Sequence, residues 1–257
     1  MINLLSAHVN TKSIGGYQWT NTEMYSEGMG SEMYEKEGIT FPRCTDIISD
    51  STNKSQGLIQ WSANQAVEYI RANCDEPSCP FYMVDESDLE QARFAYKDTS
   101  KIALDVGSDV HNAIEKHLKK ESYTLVSTQA EQAFKAFIEW EDSVELKPLL
   151  LEQTVWGDRW GGTLDMVCML NGKKYVVDFK TSKAFYMTEM GAQIAAYRSC
   201  IADAKGSGIL RLDKETGLPF WKDFSKRYSR DLKVFEAMVT LYFLRHPRVA
   251  KRFEKGE

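Results

Sequence analysis

The sequence predicts an α/β fold, a mixed central β-sheet flanked by helices, with an N-terminal extension of helices and β-ribbon. Three observations predict it. Apolar residues recur at three and four over about 101–120 and 128–143, the spacing of amphipathic helices. Asn171-Gly172 separates two apolar runs and tolerates φ > 0 at both positions, the signature of a tight β-hairpin. From residue 101 the order reads helix, helix, three strands, helix, short strands, helix. We therefore divide the chain into an extension, 1–100, and a core, 101–257.

Taken in order, residues 10–40 alternate weakly around Tyr17-Gln18-Trp19 and Glu32-Met33-Tyr34, which reads as an irregular β-ribbon or arm. Residues 56–73 read as a helix, with Leu58, Trp61, Ala66, Tyr69 and Ile70 near helical spacing, and 87–97 as a shorter one. Val106, Val110, Ala113, Ile114 and Leu118 mark the helix over 101–120; Ala130, Ala133, Phe134, Phe137 and Trp140 mark the next. Strands follow over 149–156, 162–170 and 173–180. A helix over 188–203, two short strands flanking Lys214-Glu215-Thr216-Gly217, and a last helix over 228–245 complete the chain.

The 257 residues are 43% hydrophobic and 27% charged, enough for a sizeable core and unlike a disordered or coiled-coil chain. No run approaches eighteen apolar residues, so no membrane partner is expected. The N-terminus lacks the basic start and apolar stretch of a signal peptide. Five cysteines at irregular spacing fit reduced thiols in a cytoplasmic protein. The net charge of −5 argues against nonspecific coating of nucleic acid, but charge is uneven. Residues 205–257 carry 13 Lys/Arg against 7 Asp/Glu, net +6, leaving −11 before them. A local basic track and ordinary solvated helix faces both account for that.

The chemistry concentrates in the hairpin. With Asn171 and Gly172 as its loop, Leu170 faces Lys173 and Asp165 lies opposite Asp178, with Lys180 on the same face. The other face collects Leu164, Met166, Cys168, Leu170, Tyr175, Val177 and Phe179 as core. Two carboxylates about 5 Å apart repel by roughly 3 kcal/mol at an effective dielectric near 20. A nearby cation, a proton on one aspartate, full solvation on an open face, or a divalent ion with oxygen ligands offsets this. On this reading, Asp165→Asn relieves the repulsion and raises metal-free stability.

Gly162-Thr163-Leu164-Asp165, then Val176-Val177-Asp178-Phe179-Lys180-Thr181-Ser182, then Gln193 with Tyr197, resembles the PD-(D/E)XK nucleases of the RecB-like branch. Gly107-Ser108-Asp109-Val110-His111 resembles that branch's helix with a glycine and a metal-binding histidine. Phe41-Pro42-Arg43-Cys44-Thr45-Asp46-Ile47-Ile48 is more loosely similar to phage-encoded relatives and the mitochondrial genome maintenance exonuclease. The likeness covers about 101–212 and implies a restriction-endonuclease-like core.

It further implies that Asp165 and Asp178, with the Phe179 backbone carbonyl and His111, bind one or two Mg²⁺ or Mn²⁺ ions. Lys180 would orient the attacking water or stabilise charge on the phosphate. Gln193 and Tyr197 share a helix face and would support the site; Glu152 would reach a second metal or a water. A satisfied helix-edge histidine, core packing of Tyr197 and an ordinary exposed Glu152 are the plainer readings. Some relatives hold an iron–sulfur cluster with one cysteine upstream and three downstream; Cys44, Cys74, Cys79, Cys168 and Cys200 do not follow that pattern, so no iron–sulfur cluster is expected.

The implied activity is a metal-dependent deoxyribonuclease, an exonuclease on single-stranded DNA ends that leaves 5′-phosphates, in phage recombination, repair or replication in bacterial cytoplasm. Partners would be single-stranded DNA and a recombinase or single-strand-binding protein. Candidate DNA contacts are Trp61, Tyr69, Lys183, Tyr186, Lys226, Arg227 and Arg230. A structure-specific endonuclease on the same core, a non-cleaving DNA-binding module and a coincidental hairpin are the alternatives.

Overall fold

A computed structural model describes residues 34–52, 55–74 and 82–255. The ribbon reading around Tyr17–Trp19 and Cys79 lie outside the described residues. The chain enters through a small hairpin, β1 (Tyr34–Lys36) and β2 (Ile39–Phe41), closed by Glu37 and Gly38 at φ 55° and 78°. Next come α1 (Cys44–Ser51) and α2 (Ser55–Asn73). The sequence reading missed α1. Its signals were faint: an acidic residue in the first turn, Asp46, and the buried pair Ile47 and Ile48.

Helix α3 (Glu86–Lys119) is continuous where two helices were expected. Residues 97–101 lack an apolar face, but they contain no glycine or proline, so nothing interrupts backbone bonding. An Asp85–Asp88 capping box starts the helix and Lys120, left-handed at φ 61°, ends it. At 34 residues it spans about 50 Å, and the boundary drawn after residue 100 falls inside it. Its C-terminal half packs on α4 (Thr128–Asp142).

The main sheet has the order β3-β4-β5-β6-β7. β3 (Leu146–Trp156), β4 (Gly161–Leu170) and β5 (Lys173–Lys180) form an antiparallel meander. Helix α5 (Met187–Ser199) carries the chain to β6 (Gly206–Leu212), parallel to β5; β7 (Pro219–Asp223) returns antiparallel. The sheet is therefore mixed, with helices around it. The β4–β5 register runs from Leu170↔Lys173 to Met166↔Val177, with Asn171 and Gly172 at φ 49° and 76°, as their two-residue turn requires. Helix α6 (Tyr228–Arg245) and α7 (Pro247–Lys255) close the chain. Pro247 at the first turn was the unread signal for α7.

Both sheet faces are buried, which removes full solvation on an open face from the alternatives for Asp165 and Asp178. Helices α3 and α4 pack Val110, Ile114 and Phe137 on Met166, Cys168, Val177 and Phe179. Helices α1, α5 and α6 pack Cys44, Ile47, Ile194 and Phe235 on Val167, Val176 and Ile209. No helix among the described residues is long and apolar enough to cross a membrane.

Candidate metal centre

The site forms where β4 parts from its neighbours. Backbone pairing with β5 ends at Met166↔Val177, one position short of the expected Asp165–Asp178 pair. Beyond it the Phe179 amide N–H donates to Asp165 Oδ2 at 2.6 Å. A carboxylate has replaced the backbone acceptor, and the strands separate. On the other edge, the β3–β4 ladder pairs Leu151 with Met166 and Gln153 with Leu164, which brings Glu152 into register with Asp165 between them. Glu152 sits there at φ 46°, a left-handed conformation that costs a non-glycine residue about 1–2 kcal/mol. Such strain persists only where surrounding packing enforces it.

The irregularity changes which way β4 faces. Strict alternation puts Leu164 with Met166 and Cys168. Instead Leu164 packs in the core beneath α1 and α5, whereas Met166 and Cys168 pack beneath α3 and α4. Asp165 lies at the switch, so its side chain reaches a helix on the far side of the sheet from the one covering Asp178.

That helix is α3. His111 Nδ1 lies 3.4 Å from Asp165 Oδ1 and 3.9 Å from Glu152 Oε1. The ligand atoms of these three residues all lie within 4.8 Å of one another. Two ligands about 2.1 Å from one ion are about 3 Å apart at a right angle and about 4.2 Å apart when opposed. The observed separations from His111 fall in that interval. Asp178, 1% exposed, makes a separate pair: its Oδ2 lies 2.5 Å from Lys180 Nζ. A hard cation suits the set of one imidazole and two carboxylates that His111, Glu152 and Asp165 form.

The charges respond accordingly. Burial, with repulsion from Asp165, lifts Asp178 to about 6 although Lys180 opposes it. Burial also works against the Asp165 anion, but His111, Lys180 and the Phe179 amide outweigh it and hold its carboxyl below the ordinary range. Burial disfavours the His111 imidazolium; the Asp165 carboxylate overrides that and takes it to about 9. Burial and Asp165 push Glu152 to about 7 against the pull of His111. Lys180 is raised because Asp178 and Asp165 outweigh its burial. The two aspartates are thus neighbours with opposite fates, each held by its own cation, and not a face-to-face pair. Phe179 also takes part through its amide, which donates to Asp165.

Two adjacent glycines make room for the arrangement. A Cβ on Gly161 would lie 2.8 Å from the Tyr34 side chain, and one on Gly162 would lie 2.8 Å from the Tyr197 ring. Tyr34 donates to or accepts from Thr163 Oγ1 at 2.8 Å, two residues before Asp165. Tyr197 is buried and its hydroxyl accepts from Gln193 Nε2 at 3.2 Å. Tyr34 and Cys44, whose thiol is raised well above its ordinary range by burial and then by Asp178, escaped the sequence reading. The Gly161-Gly162 pair was the available signal that something packs closely there. On α3, a Cβ at Gly107 would meet Thr181 Oγ1 at 3.5 Å, so the helix runs close past the end of β5.

The remaining candidates scatter. Trp61 packs edge-on against Tyr96, and Tyr69 donates to Gln91 Oε1 at 2.8 Å, so both serve the α2–α3 contact. Arg227 is committed to the buried Asp231 at 3.0 Å and to the Met187 carbonyl. Lys226 lines a pocket with Lys173, Tyr175 and Lys205 at the start of β5. Lys173 is seven strand residues from Lys180, about 23 Å. Lys183 is exposed and pairs with Glu215, and Tyr186 and Arg230 are exposed.

No protein-family model matches the chain, and no curated protein does. Among solved structures, the crystal structure of SSO0001 aligns over 81% of this chain and 78% of its own length, at 13% identity and a TM-score of 0.34. A likeness that slight carries no argument about fold or activity.

Proposed function

We propose that this protein is a metal-dependent deoxyribonuclease of the PD-(D/E)XK type, acting as an exonuclease on single-stranded DNA ends in the cytoplasm. One observation carries the reading: the ligand atoms of His111, Glu152 and Asp165 all lie within 4.8 Å of one another, beside a buried Asp178–Lys180 pair. A structural ion pair has no need of two further carboxyl groups, and burying them is costly without a cation.

Asp165, His111, Glu152 and Asp178 would hold Mg²⁺ or Mn²⁺. When bound, the ion supplies Lewis acidity toward a phosphodiester oxygen and lowers the pKa of a coordinated water. The chain's own groups do the rest. The Phe179 amide fixes the Asp165 carboxylate by one oxygen and leaves Oδ1 directed at His111. Asp178 holds Lys180 by Nζ, which keeps the ammonium at the site as a donor to a water or a phosphate oxygen. Tyr197 and Gln193 pack beneath β4 and fix its path.

The test incubates purified protein with end-labelled linear and circular DNA, single- and double-stranded, in Mg²⁺, Mn²⁺ or EDTA. Metal-dependent loss of linear single strands with intact circles is the expected result. Cutting of circles would make the enzyme an endonuclease, and no cleavage with either metal would overturn the proposal in favour of a non-cleaving module.

A further inference from the structure

Helix α7 divides cleanly. Val249, Ala250 and Phe253 pack against the core beneath α1 and α6. Arg248, Lys251, Arg252 and Lys255 are exposed, and their i, i+3, i+4, i+7 spacing puts them on the opposite face, along about 10 Å of helix. Among the described residues none of the four has a carboxylate within 4.0 Å, although the chain as a whole is acidic. Unpaired cations concentrated on one face of an acidic protein mark a surface for a polyanion.

Packed side chains lead from this face toward the candidate site. Phe253 stacks edge-on with Phe41 at 5.2 Å, and Phe41 with Trp156 at 5.1 Å. Lys36 lies 5.8 Å over the Trp156 ring, and Arg159 lies 4.7 Å over Phe243, which also contacts Phe253. Trp156 pairs with Gly161, and Asp165 is four residues farther along β4, about 13 Å. Cations and aromatic rings therefore run from α7 to Trp156, about 13 Å from Asp165 along β4.

We propose that the exposed face of α7, continued by Lys36 and Arg159, binds the phosphate backbone of a single-stranded nucleic acid and leads it to the metal centre. The second half of this inference rests on the nuclease reading above. A lipid surface is the poorer fit, because the apolar side of α7 is already spent on the core and cannot enter a bilayer.

The experiment measures fluorescence anisotropy of a labelled 30-nucleotide single-stranded DNA in EDTA across a salt series. The chains compared are the wild type, R248Q/K251Q/R252Q/K255Q, and a control, R93Q/K97Q/K101Q/K135Q, that removes equal charge from exposed positions of α3 and α4. The α7 variant should bind about tenfold or more weakly and lose about 3 from the slope of log affinity against log salt, since each single-strand phosphate contact contributes about 0.7. The control should keep the wild-type slope, and R248K/R252K should keep both affinity and slope. Unchanged binding in the α7 variant, equal loss in the control, or wild-type binding confined to phosphatidylserine vesicles would overturn the proposal. Hydrolysis of bis(p-nitrophenyl) phosphate with Mn²⁺, an ester too small to reach α7, should be the same in all chains. If the wild type hydrolyses neither this ester nor DNA, the nuclease reading fails, while the anisotropy still decides whether α7 binds the strand.

Discussion

Replacing Asp178 with Asn should stabilise the metal-free protein at neutral pH, even though Asp178 is the ion-pair partner of Lys180. Burial first, and Asp165 second, raise this carboxyl from its ordinary 3.8 to about 6 in the folded chain despite that partner. The folded state therefore binds the proton more tightly than the unfolded chain. Below about pH 4 both states are protonated and the contribution is fully present; it is lost as pH rises to about 6. A rise of about two at 1.36 kcal/mol each is about 3 kcal/mol, borne by the wild type above pH 6. Asparagine keeps the shape without the charge. Lys180 keeps Asp165 as a neighbour, and its side chain is 25% exposed, so it is not stranded.

The variant should thus exceed the wild type by about 3 kcal/mol at pH 7.5 in EDTA, and by almost nothing at pH 4. Urea unfolding at pH 4, 5, 6 and 7.5 reads this directly; at about 2–4 °C per kcal/mol, thermal midpoints should differ by about 6–12 °C. Saturating Mn²⁺ should narrow or invert the gap, since an ion held by Asp178 stabilises only the chain that binds it. A variant less stable than the wild type at pH 7.5, or a gap that does not change with pH, would refute the reasoning.

Asp165→Asn should do the reverse and lower stability in EDTA at neutral pH. Its folded carboxyl is depressed, so its contribution is present above its ordinary range and is lost as pH falls through the folded value; acid titration of unfolding checks this. Lys180→Ala should cut DNA hydrolysis about 100-fold or more while the far-ultraviolet circular dichroism is retained, and full activity would remove Lys180 from the proposed mechanism. Gly162→Ala should cost about 1–3 kcal/mol in urea unfolding, because its Cβ would press on the Tyr197 ring at 2.8 Å. An unchanged midpoint would mean that α5 shifts freely.

Local features were legible and non-local ones were not. The hairpin register followed from Asn171-Gly172 alone, because a two-residue turn admits one pairing. His111, Glu152, Asp165, Asp178 and Lys180 were all named, and the fold brings them to one region. What alternation could not reveal is that β4 changes facing at Asp165. That depends on an amide of β5, a left-handed residue of β3 and a helix begun eighty residues earlier, and none of these is adjacent in sequence. The expected gain from Asp165→Asn counts the repulsion between the aspartates, which still raises Asp178, and leaves out His111, Lys180 and the Phe179 amide, which favour the Asp165 carboxylate.

The same departure explains why residues before 100 belong to the site. Once β4 leaves β5, its first turns have lost a strand partner, and something else must hold the path of the backbone. Gly161 N–H donates to the Pro42 carbonyl at 3.1 Å, so the chain just after β2 supplies that partner. Tyr34 presses on Gly161 from β1 and Tyr197 on Gly162 from α5, and the glycines admit both. Helix α1 then covers Asp178 with Cys44. An extension that merely guided a substrate would leave Asp165 and Asp178 in place when removed. Here it supplies a backbone bond at Gly161, a hydroxyl contact at Thr163 and the cover over Asp178, so the centre is built by both parts of the chain, and the line between them runs through the interior of α3.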